Sequence, residues 1–385
     1  MVRVVWYQHR GALLGLGAVV VALGALLLAA GLRGRGEYAF MIRHGWAAPG
    51  LGLIGLNPGV NQTLTEFPWL GDNVDSPGSG ATFPASVSLT IIVLFALAGI
   101  FLGAPLISRE YERGTFRFAW TQGTSRVRWC ALSVGLLGGL VTLAGAGIGS
   151  LAAWALEPFN QLGTSSHWLR GQFESGPAIA AGWALLAFMA GVLAGAILKR
   201  VVPAIAVTAI ALIVLLGSYY AKLYQLLLGI RPLAVQDNAA TWWSGPGITT
   251  PDTEAVGTVP LWVTTGPNRP GPAGALQVSG YYLDPAGHQP IGASAVRLIT
   301  GWNQAGSYGD KAAWLASHHY SYWINYQPAG RYWWFQLGAG GVLVVVALLL
   351  GAGALWLVGR RGARIGGRGF RSRGARTRGR QPEPA

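Results

Sequence analysis

The stretch PAIAAGWALLAFMAGVLAGAILKRVVPAIAVTAIALIVLLGSYY, residues 177–220, decides the fold of this chain. It holds two apolar runs, each long enough to cross a hydrocarbon core as a helix of about 20 residues. Only Lys199 and Arg200 separate the runs, so the two helices must reverse direction in a very short turn. We expect each helix to give up some terminal residues to that turn. Pro203 suits the first turn of the second helix, where its missing N–H is not needed.

Four further apolar runs of similar length bring the number of predicted spans to six. The predicted spans are residues 11–31, 87–107, 130–156, 177–198, 201–220 and 335–358. None of these runs contains Asp, Glu, Lys, Arg or His. The chain is 52% hydrophobic and 11% charged, whereas a soluble protein carries about 25% charged residues. We therefore predict an all-α integral membrane protein with six transmembrane helices. The first run is longer than the roughly 7–15 apolar residues of a secretory signal, so we read it as a retained span.

Basic residues gather on one side of these spans. With the N-terminus inside, the cytoplasmic segments are residues 1–10, 108–129, 199–200 and 359–385. They hold 18 of the 28 basic residues and three acidic ones. The extracytoplasmic segments are then residues 32–86, 157–176 and 221–334, with 10 basic and 11 acidic residues. Because cytoplasmic loops are enriched in Lys and Arg, both termini are predicted to be cytoplasmic.

Residues 103–129, GAPLISREYERGTFRFAWTQGTSRVRW, are the most informative stretch outside the spans. At helical spacing Arg109, Arg113 and Arg117 form one basic stripe, flanked by Glu110 and Glu112. Such a helix suits a membrane surface with anionic lipids. The sharper interpretation is a docking element for a cytoplasmic partner, with the two glutamates as acidic contacts.

This stretch resembles the signature of a bacterial family of ABC transporter permease subunits of the type-2 exporter class. VVWYQHR at 4–10 and YQPAGRYWWFQ at 326–336 resemble the same family. The resemblance implies a helical subunit that pairs with a second copy or a paralogue and with ABC ATPase subunits, which would bind ATP and Mg²⁺. It also implies an ATPase-coupling role for Arg109, Glu110, Glu112, Arg113, Gly114 and Thr115.

Several residues are predicted to lie at the membrane–water boundary, where Trp and Tyr collect. They are Trp6, Arg10, Trp120, Gln122, Arg331, Trp333 and Trp334. The aromatic residues within 311–334 predict interfacial helical pieces leading into the last span. That span opens with Gln336, Leu337 and Gly338, where the family resemblance leads us to expect an acidic residue soon after the glutamine.

Three further features complete the sequence-based expectations. The glycine pairs Gly135–Gly139, Gly145–Gly149 and Gly191–Gly195 would let helices approach closely. The arginine-rich segment 359–385 is predicted to be a disordered tail that is attracted to anionic lipids of the inner leaflet. We expect no nucleic acid, no metal and no catalytic residue.

The absence of a GxxxxGK[ST] loop anywhere in the sequence indicates that ATP hydrolysis resides on a separate chain. The sequence therefore favours the permease subunit of an exporter in a bacterial plasma membrane, one that moves an amphipathic or apolar substrate outward. An ion-coupled secondary transporter is a competing hypothesis, although such proteins usually carry ionisable groups near the membrane midplane. A membrane sensor or assembly protein is another, since residues 221–334 are long enough for a small domain.

Overall fold

We describe the protein from a computed structural model. It covers residues 2–45, 47–48, 52–53, 82–113, 126–161, 167–168, 170–218, 229–237, 262–263, 275–290, 293–306 and 308–369. Six helices in these ranges are long and apolar enough to cross a membrane. This confirms the prediction of a mostly helical protein with six spans.

The six spans are named in chain order. Their helices are Val2–Arg43, Thr82–Arg113, Arg126–Gln161, Pro177–Leu198, Val201–Ser218 and Tyr332–Gly369. The second span has three parts: an α-helix (Thr82–Ala98), a π-helix (Gly99–Gly103) and a final α-helix (Ala104–Arg113). We call the last two parts the π-turn and the hairpin-end helix. A short buried helix, Arg170–Ser175, precedes the fourth span.

The turn between the fourth and fifth spans contains only Lys199 and Arg200. Lys199 adopts a left-handed conformation, φ 58°, and its N–H donates to the carbonyl of Gly195 at 3.0 Å. This conformation reverses the chain at once, so neither helix loses terminal residues and our expectation that they would is wrong. Pro203 lies in the first turn of the fifth span. We call this end of the bundle the hairpin end and the opposite end the sheet end.

The first and sixth helices continue beyond the predicted apolar runs. The first continues through Arg43, into the segment predicted as a loop. Its charged groups are accommodated there: Arg33 pairs with Glu37 at 3.1 Å, and Arg35 donates to the carbonyl of Trp154 at 3.0 Å. The sixth continues to Gly369, so the prediction of disorder is wrong for 359–369, because an already formed helix extends one hydrogen bond at a time. Residues 370–385 lie outside the described residues.

The fourth span lies at the centre of the bundle. Among the 18 most apolar consecutive residues of each span, 72% are buried in the fourth span, 6% in the first and 17% in the fifth. Glycines bring neighbouring backbones against it: a Cβ on Gly145 would lie 2.8 Å from the carbonyl oxygen of Ala180, and one on Gly340 would lie 2.5 Å from that of Ala178. The first and fifth spans therefore present most of their apolar side chains outward.

The predicted glycine pairs divide between packed and open positions. Gly191 and Gly195 of the fourth span press against the backbone of the second span, and Gly145 and Gly149 press against the fourth. A Cβ on Gly135 or Gly139 would meet nothing within 4 Å. Two of the three pairs thus make the close helix contacts that we expected.

A small antiparallel sheet stands at the sheet end, between the fifth and sixth spans. Its strands are β3 (Leu233–Asp237), β4 (Trp262–Val263), β5 (Leu276–Leu283) and β6 (Ser321–Gln327), in the order β3-β6-β5-β4. Two helices, Ala293–Gln304 and Tyr308–Ser317, accompany it. A further pair of two-residue strands, β1 (Ala47–Ala48) and β2 (Gly52–Leu53), follows the first span.

The sheet changes our interpretation of the aromatic residues between 311 and 334. We expected helical interfacial pieces, but residues 321–327 form strand β6. Tyr322 is 2% exposed and packs in a core with Tyr282 and Trp302. Tyr322 and Ile324, both buried on alternate positions, fit a half-buried strand, and this packing overrides the preference of tyrosine for the membrane boundary.

Candidate functional site

The hairpin-end helix is joined to the fifth span by a side chain that the sequence placed in the coupling segment. The backbone N–H of Val201 donates to Oε1 of Glu112 at 2.8 Å. Val201 is the first residue of the fifth span, where the helix amides have no partner within the helix and the helix dipole favours a negative charge. Glu112 therefore caps a neighbouring transmembrane helix while its side chain stays exposed.

The other predicted coupling residues are spread around this contact. Arg109 is exposed and Glu110 is half-buried. Arg113 ends the hairpin-end helix, with its side chain outside the described part. Gly114 and Thr115 lie outside the described residues. The geometry thus brings Glu112 to the hairpin and leaves Arg109 facing outward from it.

Small residues hold the hairpin-end helix against the fourth and fifth spans. Ala104, Ala194 and Ala204 form a buried cluster, one alanine from each helix, with Leu198 and Ile205 packed against it. On the same side, Nζ of Lys199 lies 5.9 Å from the ring centroid of Tyr111. Backbone packing and a capping carboxylate therefore act together on the three helix ends.

A second group of polar side chains is buried at the sheet end. The sheet-end cluster consists of Ser88, Gln172, Glu174, Ser175 and Gln336, each at most 5% exposed. Ser88 Oγ donates to Oε2 of Glu174 at 3.3 Å, which joins the second span to the short buried helix. Because burying a carboxylate is unfavourable unless it is hydrogen-bonded, its place inside the bundle marks this cluster as a second candidate site.

Gln336 links the sixth span to the turn that begins the fourth. Its Nε2 donates to the carbonyl of Phe173 at 2.5 Å and to the hydroxyl of Tyr332 at 3.2 Å. Gly176 faces this amide, and a Cβ there would lie 2.5 Å from both Cδ and Oε1 of Gln336. The glutamine therefore occupies space that only a glycine at position 176 leaves open.

Aromatic rings surround this contact. Trp168 lies with its ring centroid 6.0 Å from Phe173, 5.5 Å from Tyr332 and 5.6 Å from Phe335. At the edge of the group, His167 Nε2 lies 2.9 Å from a carboxylate oxygen of Glu157. The sheet end is thus closed by a packed aromatic layer that contains a few hydrogen-bonded polar groups.

Sequence reasoning did not single out Glu174 as a functional residue. It lies in a segment predicted to be a loop, and nothing local distinguishes a buried acid from a solvated one. The short spacing to Pro177, which begins the fourth span, is the one signal that could have indicated proximity to the bundle. The sixth span has no acidic residue after Gln336, where we expected one. A buried acid does follow the residue that Gln336 contacts: Glu174 comes directly after Phe173, whose carbonyl accepts the hydrogen bond from Gln336.

The predicted boundary residues have different surroundings. Trp333 and Trp334 are 57% and 77% exposed, and their place at the membrane boundary stays a prediction. Arg331 instead donates to the carbonyl of Arg231 at 2.8 Å and to Oε1 of Gln327 at 3.2 Å, tying the sixth span to the sheet. Arg10 is exposed. The side chain of Trp6, and residues Trp120 and Gln122, lie outside the described part.

Comparison with known protein families gives one finding. Residues 71–221 match a family model described as ABC-2 membrane transporter related. These residues contain the second to fifth spans, the hairpin-end helix and the short buried helix. No curated protein and no solved structure matches the chain. Residues 71–221 of this multi-pass membrane protein are therefore similar to the ABC-2 type permease family.

Proposed function

We propose that this protein is the membrane-spanning subunit of an ATP-driven exporter and works with a separate ABC ATPase. The observation that carries the proposal is the family match over the second to fifth spans, which include the charged hairpin-end helix. ATP and Mg²⁺ would bind to the partner ATPase. Two permease subunits, identical or paralogous, would form the translocation unit and move an amphipathic or apolar substrate outward.

The hairpin end is proposed to face the cytoplasm of a bacterial cell. The excess of basic residues on that side supports this orientation. Two exposed tryptophans of the sixth span, Trp334 and Trp356, suit the two boundaries of the bilayer. They are 22 residues apart, or about 33 Å along a helix, close to a hydrocarbon thickness of about 30 Å. Arg360 lies over the ring of Trp356 at 4.0 Å, as expected near the inner boundary.

The ATPase is proposed to dock on the segment that begins with Arg109 and continues through Thr115. Arg109 is exposed at the end of the second span, so a force on this segment acts directly on a transmembrane helix. Since Glu112 already caps the fifth span, we assign the direct electrostatic contact to Arg109 in preference to Glu112. An acidic surface on the ATPase would complement it.

A reversal of charge at Arg109 tests the docking step. The permease would be co-purified with its ATPase in lipid nanodiscs, and the stimulation of ATP hydrolysis over the ATPase alone would be measured. Arg109→Glu is expected to abolish association or stimulation, whereas Arg10→Glu, an exposed arginine on the same side, should leave both unchanged. Normal stimulation in Arg109→Glu would refute the docking assignment.

The ion-coupled alternative has one observation in its favour, the buried carboxylate of Glu174. Transporters that bind a coupling ion place such groups inside the bundle. Substrate movement that stops when the proton gradient is dissipated, but continues when ATP is exhausted, would support this alternative against the ABC exporter. The same assay with ATP present and no gradient should show full transport if the exporter proposal is correct.

A further inference from the structure

Glu112 makes a contact that a simple docking residue would not make. Its carboxylate accepts the first amide of the fifth span, although the side chain lies on the exposed surface where a partner could reach it. A carboxylate at that position satisfies an otherwise unpaired helix donor and is favoured by the helix dipole. Glu112 is therefore committed to its own chain in this conformation.

We infer that Glu112 is a positioning residue, which ties the hairpin-end helix to the start of the fifth span so that the two move together. This inference rests on the proposed coupling of the hairpin-end helix to an ATPase. A displacement of the segment after Arg113 by the ATPase would then move two spans at once. The conformational change of the ATPase would move the fourth–fifth hairpin as well as the second span.

The packing around Glu112 supports movement as one unit. Ala104, Ala194 and Ala204 interlock the three helix ends in a buried cluster. Gly195 of the fourth span presses directly against the carbonyl of Ala104. Ser108 is fully buried and donates to the same carbonyl at 2.7 Å. Because no long side chain separates these backbones, the hairpin-end helix has little freedom to slide past the hairpin.

The π-turn provides the place where this unit would pivot. It lies immediately before the hairpin-end helix in the second span, and its wider helical turn interrupts the regular hydrogen-bond ladder. On the fourth span, Gly191 packs against the backbone of this turn, and a Cβ there would lie 2.7 Å from the backbone nitrogen of Ala104. The π-turn therefore packs against the fourth span and directly precedes the hairpin-end helix that Glu112 ties to the fifth span.

Glutamine at position 112 separates the intramolecular tie from a charge contact with the ATPase. Glu112→Gln removes the charge but keeps an oxygen that can accept the Val201 N–H. Glu112→Ala removes both. Glu110→Gln removes the same charge two residues away and serves as the matched control.

The first measurement is hydrogen–deuterium exchange of the isolated permease, over the peptide that contains the hairpin and Val201. Exchange there is expected to rise roughly 5- to 30-fold in Glu112→Ala, the range for a lost helix cap, and to stay near wild type in Glu112→Gln and Glu110→Gln. Unchanged exchange in Glu112→Ala would overturn the tie. This measurement needs no ATPase, so it stands even if the proposed function is wrong.

The second measurement is the ratio of substrate transported to ATP hydrolysed by the permease–ATPase complex. We expect this ratio to fall in Glu112→Ala and to be retained in Glu112→Gln. A ratio that is unchanged in Glu112→Ala despite faster exchange would show a merely structural cap and overturn the positioning role. If the ratio falls equally in Glu112→Ala and Glu112→Gln while exchange in Glu112→Gln stays normal, the positioning role is also overturned. The carboxylate charge would then be assigned to docking of the ATPase. A wild-type protein that neither stimulates nor transports would refute the exporter itself.

Discussion

Replacing Gly176 with alanine tests how tightly the sixth span is held to the start of the fourth. Gly176 has φ −58° and ψ 148°, which alanine adopts without strain, so any effect is steric. The new Cβ would lie 2.5 Å from Cδ and Oε1 of Gln336, so the amide must leave. Its hydrogen bond to the carbonyl of Phe173 is then lost.

The expected destabilisation has two parts. A buried amide that loses its hydrogen bond costs about 1–3 kcal/mol, while the carbonyl of Phe173 keeps the backbone N–H of Gly176 as a partner at 3.3 Å. Forcing an extra methyl into a packed region costs about 1–3 kcal/mol. Gly176→Ala should therefore lower the free energy of unfolding by about 2–6 kcal/mol. The assay is reversible unfolding by SDS in mixed lipid–detergent micelles. Gly341→Ala is the matched control, because a Cβ at Gly341 meets nothing within 4 Å.

A double variant makes this reasoning refutable. In a Gln336→Ala background the obstructing amide is gone, so adding Gly176→Ala should cost much less than it does in the wild type. The difference should be a coupling of about 1–3 kcal/mol, as for residues in direct contact. Additive effects of the two substitutions, or a Gly176→Ala variant as stable as Gly341→Ala, would show that the two residues do not meet.

Three further substitutions have defined expectations. Gly191→Ala should destabilise the protein by about 1–3 kcal/mol, because its Cβ would enter the backbone of the π-turn. Gly139→Ala, whose Cβ meets nothing within 4 Å, should leave the stability unchanged or raise it by up to about 1 kcal/mol in the same unfolding assay. Glu174→Gln retains an acceptor for Ser88 and should keep the rate of ATP-driven transport within about twofold of wild type. Loss of transport in this variant would count against a purely structural role for the carboxylate. Gly301→Ala should loosen the packing between the two helices beside the sheet, since its Cβ would overlap the ring of Trp314. Near-ultraviolet circular dichroism of the aromatic residues should report that loss.

The transmembrane part of the fold was predictable because it depends on a local property. Each span is an uninterrupted apolar run, and a helix is the simplest way for such a run to satisfy its backbone in lipid. The bounds were less predictable. The sixth helix continued to Gly369. The first continued to Arg43, where Arg33 pairs with Glu37 and Arg35 packs on the ring of Trp154.

The candidate sites were only partly predictable, because they depend on contacts between distant segments. The charge pattern around Arg109 and Glu112 pointed to the hairpin-end helix, but the bond from Val201 to Glu112 joins residues 89 positions apart. Gln336 and Phe173 are 163 positions apart. No period or spacing in the sequence encodes such pairs. The same holds for strand β6, whose pairing with β3 and β5 decides that its tyrosines turn inward.

The proposed coupling to an ATPase requires that the hairpin end face the cytoplasm. Cys130, the one cysteine of the chain, is 2% exposed. Cys130→Ala provides a background for single cysteines at Arg109 and at Val296, which is exposed on the helix Ala293–Gln304 beside the sheet. With a membrane-impermeant maleimide, the cysteine at 296 should react in intact cells, and the cysteine at 109 should react only after the membrane is opened. Labelling of position 109 from outside, with protection of position 296, would contradict the orientation and the coupling proposed from it.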